Sequence, residues 1–389
     1  MEEANLSEKV TYGAASIGDA EIAAAIEVLR SGQLSAAGLV RKFESEVCRF
    51  VGSKYAVSCN SGSNALLLST AALMSPILDS PLRRGDTMVT CATVFPTAIA
   101  PSVLFGLRVV VVDSDRRNGL VDMDQLASAV EREKPRLAIL PHLAGNVLDL
   151  ERLYELEIEY VVEDCCDALG SRFDGNHVGR NATLATFSFY PAHHITTAGE
   201  GGAVITDNAL LYEVLVSLRD WGRKPRRQTM RDAFTYVNWG FNCRLTELGA
   251  SVGCVQLGNF EERRARRVEN ANMLRHEIGK LEYLGVPQVH PRALPCWMMT
   301  PIFLKHDSKF TLTQITDFLE ARGIECRPYF VGNIMRQPLE KSQLIPYGPL
   351  DDADFLYDHA FFVANHDQLT PAQLNNIVES LRTFLAKVS

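Results

Sequence analysis

No Cys-x-x-Cys pair occurs in the 389-residue chain, although it carries nine cysteines. Cys48, Cys59, Cys91, Cys165, Cys166, Cys243, Cys254, Cys296 and Cys326 are scattered. An odd number without a framework reads as free thiols of a reducing cytoplasm, and gives little support to a zinc or iron–sulfur site. No apolar run approaches the roughly 20 residues that a membrane-spanning helix needs. The first residues, MEEANLSEKV, are acidic and polar and do not read as a secretory signal. A net charge of −8 argues against nonspecific nucleic-acid binding. Repeats and low-complexity tracts are missing too. What is present is 47% hydrophobic and 22% charged residues, ordinary for a globular protein and, at this length, enough for two domains.

Apolar runs alternate with amphipathic stretches. Strands are expected at 55–58, 86–91, 107–112, 136–140 and 160–163, and helices at 16–34 (N-cap Ser16, stop Gly32), 40–51 and 122–133. Near-continuous apolar strands between helices imply a mostly parallel sheet covered on both faces. A helix is expected at 210–219, and 247–281 reads as largely helical, with Arg263 to Arg267 as a solvated face. The C-terminal third alternates again, with strand 300–304, helix 313–322 and strand 324–328. The expected fold is α/β, with a large domain over 12–255 and a smaller one over 256–389.

Chemistry concentrates in TFSFYPAHHITTAGEGGAV, residues 186–204. A strand end stops at Pro191. Two imidazoles follow, His193 and His194, then the hydroxyls of Thr196 and Thr197, free to bond an anion or the backbone. Gly199, Gly201 and Gly202 form a turn around Glu200. Upstream, Cys59-Asn60-Ser61-Gly62-Ser63-Asn64-Ala65 joins a strand to a helix through small polar residues. Free N–H groups and the helix dipole make such a turn an anion cradle, here around Gly62 and Ser63. Phe95 stands just past a strand end, as a cleft aromatic or as core. Asp164 ends a buried strand, where α/β enzymes keep their chemistry, or it caps a helix; Asp167 follows it.

The layout Ser-Phe-x-Pro-x-Lys-x-Ile-Thr-Thr-Gly-Glu-Gly-Gly of the sugar aminotransferases (the DegT/DnrJ/EryC1/StrS family) resembles this loop, with a histidine in place of the cofactor lysine. Phe-Tyr-x-x-His-His is similar to the lysine-less subgroup, the NDP-4-keto-6-deoxyhexose 3-dehydratases. The resemblance runs from about residue 12 to 385 and implies the aspartate-aminotransferase fold, PLP fold type I. Lysine tethers pyridoxal phosphate (PLP) covalently. Histidine cannot, but it titrates near neutrality and moves protons, which suits a diffusible cofactor, pyridoxamine phosphate (PMP). Counted forward from Ser188 the lysine position is His193; counted back from Glu200 it is His194, with Ala198 as a one-residue insertion. His193 is preferred, because the spacing from the serine is the more constrained.

The resemblance implies further roles. Gly62, Ser63 and Ser188 would hold the cofactor phosphate, Phe95 would stack on the pyridine, and Asp164 would pair with its nitrogen. Asp167 stands where the aminotransferases have glutamine. Asn242, in Trp239-Gly240-Phe241-Asn242-Cys243-Arg244-Leu245-Thr246, would reach the partner's cofactor in a homodimer. Arg244 and Arg327 are candidates for substrate anions. After Asp220-Trp221-Gly222-Arg223 the chain has no cysteine until Cys243, so a cluster-free enzyme is expected. The basic run 223–231 meets a nucleotide diphosphate or is a solvated loop. The implied reaction removes the C3 hydroxyl of a nucleotide-linked 4-keto-6-deoxyhexose, with PMP restored by a glutamate-like amino donor. A Trp-Phe-Gly usual in such dehydratases is missing around Trp297. An aminotransferase-like enzyme acting on a non-sugar substrate, and a non-catalytic regulator that kept the fold, therefore stay open as alternatives.

Overall fold

The computed structural model describes residues 9–35, 37–225 and 228–388. An eight-stranded sheet forms its centre. Its strands are β1 (Tyr55–Cys59), β2 (Thr87–Cys91), β3 (Arg108–Val112), β4 (Leu137–Pro141), β5 (Tyr160–Asp164), β6 (Leu184–Ser188) and β7 (Gly202–Thr206), joined by a late strand at Leu344–Pro346. They lie in the order β1-β7-β6-β5-β4-β2-β3 with the late strand at the far edge. β7 alone runs antiparallel to its neighbours. The ends of β5 and β6 and the start of β7 are thereby brought side by side, Thr186 opposite Asp164 and Ser188 opposite Gly202. β1 to β7 are buried along most or all of their length, as their unbroken apolar runs require.

A second, four-stranded sheet carries β8 (Leu284–Gly285), β9 (Met299–Leu304), β10 (Arg327–Pro328) and, after the late strand β11 (Leu344–Pro346), β12 (Ala360–Ala364). Its core, including Leu274, Ile302, Ile315 and Phe361, forms a cluster separate from that of the large sheet. β11 crosses back from this C-terminal region to the large sheet by pairing with β3. We propose Asn259 as the boundary between the two units, because the expected long helix breaks there into Glu247–Gly258 and Phe260–Gly279.

Caps decide where helices begin. Ser61 accepts from the Asn64 N–H to start the helix Gly62–Leu73, and Asp122 does the same for Met123–Glu133. The first helix spans Asp19–Ser31 and is capped at Gly18, not Ser16. Ser16 is engaged elsewhere, its hydroxyl bonding Asp367 at 2.7 Å. Gly32 ends that helix with φ +69, as expected. The strand expected at 324–328 is shorter, because Ile324 bridges Val10 and only Arg327 and Pro328 pair with β12.

Arg263 to Arg267 form a solvated face only in part, at the exposed Arg266. Arg263 pairs with Glu21 at 2.8 Å, and Arg267 is 1% exposed. Helix periodicity places a residue on a face but does not say what covers that face. All nine cysteines are free thiols. Among the described residues no helix is long and apolar enough to cross a membrane.

Candidate active site

The carboxyl ends of β1, β5 and β6 build one wall. Gly62 opens its helix against β6, so a Cβ there would stand 2.7 Å from the Ser188 Cβ and 3.1 Å from its Oγ. Gly202 is held as tightly, since a Cβ would lie 2.4 Å from the Ser61 carbonyl oxygen. Glycine at these positions lets the strand end and the helix N-terminus close on each other. Ser63 is exposed at the mouth of the turn, and Ser188 is buried behind it.

Asp164 ends β5. Its Oδ1 accepts from the Cys166 N–H at 3.2 Å and the Thr186 hydroxyl at 3.1 Å. Burial raises its pKa, which those two bonds oppose. Asp167 lies one turn on, and its Oδ2 accepts from the Ala144 N–H at 3.3 Å. Burial, then the Asp164 charge, push its pKa up to about 7. Behind this wall Glu163 accepts from the His142 ring at 2.8 Å, the Gly179 N–H at 2.7 Å and the Tyr154 hydroxyl. Burial opposes its ionisation, but these bonds hold its pKa below the usual range. His142, Glu163 and Cys165 converge as metal ligands would, yet both Glu163 oxygens and both His142 nitrogens already have partners.

The two adjacent histidines part company. The His193 Nδ1 lies 2.8 Å from the Cys166 carbonyl oxygen. A carbonyl only accepts, so Nδ1 carries the proton and Nε2 keeps the lone pair in the neutral ring. Asp167 stands 3.8 Å from the same Nδ1, and the Tyr190 ring meets the imidazole edge-on at 6.0 Å. Burial lowers the His193 pKa to about 4, partly opposed by the Cys166 bond. The ring is thus in its accepting form throughout the neutral range, but less basic than free imidazole. His194 turns into the core, its Nε2 bonding the Cys296 carbonyl oxygen at 2.8 Å. Between this pair and Glu200, Ala198 adopts φ +62. The hydroxyls of Thr197 and Thr196 are taken by backbone, the Glu200 carbonyl and the Gly199 N–H.

The remaining sequence-predicted residues sit around the rim. Phe95 is about half exposed after β2. Asn242 is exposed, and its neighbour Cys243 accepts from the Asn60 N–H at 3.0 Å, which brings this segment beside the cradle. The Arg244 guanidinium lies 4.1 Å over Trp221, with Arg223 4.6 Å over the same ring. Arg226 and Arg227 of the basic run lie outside the described residues. Arg327 reaches in from the second sheet, 4.9 Å over Tyr12. Tyr12 carries no local signal in the sequence. Its N–H bonds Glu325 at 2.9 Å, and burial, then the Asp167 charge, raise its hydroxyl pKa.

A buried carboxylate, a cradle of small residues at a helix N-terminus and an imidazole in one cleft, on this sheet order, define an aminotransferase-type α/β enzyme fold. The chain belongs to the DegT/DnrJ/EryC1/StrS aminotransferase family, whose profile matches residues 15–382. It is 36% identical to dTDP-4-dehydro-2,6-dideoxy-D-glucose 3-dehydratase of Saccharopolyspora spinosa over 94% of this chain and 84% of that one. A structure of Escherichia coli GDP-4-keto-6-deoxy-D-mannose-3-dehydratase with bound hydrated PLP superposes with a TM-score of 0.90 at 27% identity, covering 96% of this chain and 100% of the other. A GDP-4-keto-6-deoxymannose-3-dehydratase with a trapped PLP–glutamate adduct matches with a TM-score of 0.90 at 26% identity and the same coverage.

Proposed function

We propose that this chain is a PMP/PLP-dependent dehydratase that removes the C3 hydroxyl of a nucleotide-linked 4-keto-6-deoxyhexose. The observation that carries the reading is His193 itself, a fixed, neutral, untethered base beside Asp167 and the Cys166 carbonyl on a loop that contains no lysine. The residues present fit the cofactor. The Gly62–Ser63 turn and Ser188 offer a phosphate cradle, and Asp164, buried among neutral donors, suits a cationic ring nitrogen. When bound, the cofactor supplies an electron sink for the carbon being deprotonated.

The chain's own groups do the rest. Asp164 would hold the ring nitrogen in its protonated form, and Phe95 would cover the ring. His193 Nε2 would take and return the proton at the cofactor's C4′ carbon. Asp167, with a pKa of about 7, holds a proton within the same cleft. Arg244 and Arg327 bind the anionic part of the sugar nucleotide. A glutamate-like donor restores PMP, as the glutamate adduct of the similar dehydratase supports. The free thiols support a cytoplasmic setting.

The enzyme acts as a homodimer. The segment holding Trp239 (99% exposed), Met230 (85%) and Phe234 (68%) leaves large apolar side chains open to solvent shortly before Asn242, as an interaction surface does. A second copy of the chain covers it and brings Asn242 to the partner's cradle.

The test is incubation with PMP and a panel of GDP-, dTDP- and CDP-linked 4-keto-6-deoxyhexoses, followed by mass spectrometry. Loss of one oxygen from one of these sugars, with ammonia released, is the expected result. A product that keeps every hydroxyl and gains an amino group sinks the dehydratase reading.

A further inference from the structure

Arg267 is the largest fully buried side chain of the described residues, on a helix whose pattern reads as solvated. Its Nη1 donates to the carbonyl oxygens of Met298 at 3.2 Å and Asn365 at 2.5 Å, and its Nη2 to the carbonyl oxygen of His193 at 2.8 Å. Its Nε has no partner. The cation is met by three carbonyl dipoles, with Asp367 attracting it only from farther away. Met298 in turn donates its N–H to Ala144 at 2.9 Å, and Ala144 donates to Asp167. Asn365 donates to the Trp297 carbonyl at 2.7 Å. One guanidinium thus joins the histidine loop to the start of β9 and the end of β12 in the smaller sheet.

We propose that Arg267 is a positioning residue for His193, fixing its main chain against the C-terminal sheet through one fork of hydrogen bonds. A planar fork with charge holds three carbonyls where lysine, a point charge, does not. The cation also acts on the ring. The groups facing His193 are Asp167 from the loop after β5, Tyr190 and His194 from its own loop, and Arg267. Burial is the main cause of the low His193 pKa, and the Arg267 charge adds to it. The inference rests on the reading of His193 as the base.

The test uses the full chain as Arg267→Met and Arg267→Lys, beside His193→Asn. Hydrogen exchange at the PMP C4′ carbon and kcat follow catalysis. NMR titration of the His193 ring in cofactor-free protein follows the field. Arg267→Met is expected to lower kcat about 100-fold with KM within about threefold, since small misplacements of a base cost that much. Its His193 pKa, and the acid limb of kcat/KM, move up by about one unit, because a nearby cation has been removed. Arg267→Lys keeps the charge and loses the fork. It is expected to keep the wild-type acid limb while losing about 10-fold in kcat. Wild-type kcat in Arg267→Lys overturns the fork, even if Arg267→Met does not fold. An unmoved His193 titration in a folded Arg267→Met overturns the field. His193→Asn separates the two readings: exchange surviving there refutes the base, while exchange lost there and intact in both Arg267 variants refutes only the positioning role.

Discussion

The inner wall and the outer rim of this cleft are built in opposite ways. Asp164, Asp167, Ser188 and His193 hang from strand ends, and the two acids and the imidazole are each held by hydrogen bonds from within one chain. Trp239, Met230, Phe234 and Asn242 project from an irregular segment and are exposed. The acids and the imidazole of the wall find their partners within one chain, whereas the rim leaves large apolar side chains open to solvent. In the proposed scheme, chemistry belongs to the wall, and access and assembly belong to the rim.

Four changes sharpen that contrast, the largest first. His193→Asn keeps a polar side chain but removes the base, so hydrogen exchange at C4′ should fall by about 10² to 10⁴, measured by deuterium uptake into PMP. A fall under threefold would mean that the wall does not act through this imidazole. Trp239→Asp should leave the wall intact but weaken the dimer about 30-fold or more, as an interface anchor does, read by sedimentation equilibrium against concentration. An unchanged self-association constant would leave the rim without its assigned role.

Asp167→Asn probes the wall's electrostatics. Its folded pKa of about 7 lies above the ordinary 3.8, so the fold favours the protonated form. Wild-type stability from this group is fully present below about pH 4 and is lost as the pH rises through about 7. Asparagine does not ionise, so the variant's margin over wild type should widen across that window by at most about 1.4 kcal/mol per pH unit. Denaturant titrations of cofactor-free protein at pH 4, 5.5 and 7 would show it, and a flat margin would place the proton elsewhere. His194→Gln should be the mildest. It alters one buried bond to the Cys296 carbonyl, worth about 1 kcal/mol, and should leave kcat within threefold. Loss of exchange in that variant would exchange the roles of the two neighbours.

Much of the wall was legible in the sequence, because strand ends announce themselves. Asp164 closes an apolar run and Gly62 sits in a strand-to-helix turn, while β6 ends at Ser188, earlier than the stop expected at Pro191. The choice between His193 and His194 was not legible, since counting from either side gave a different answer. The sheet separates them: Cys166, beside β6, receives one ring and Cys296, after the long helix, receives the other. Tyr12 and Arg267 were invisible as site residues. Tyr12 precedes every motif, and Arg267 lies in an arginine-rich stretch whose pattern suits solvent.

By itself the sequence determined the alternation of strand and helix, the edge on which small residues and carboxylates gather, and the absence of a tethering amine from the loop after β6. These follow from local chemistry, since chain stiffness, turn residues and apolar runs act over a few positions. Which imidazole faces the cleft, which arginine is entombed and which apolar residues stay bare were decided only by tertiary packing. Each depends on what residues dozens of positions away in the chain bring against that spot, and the free energy of a side chain is set by what surrounds it as much as by its own type.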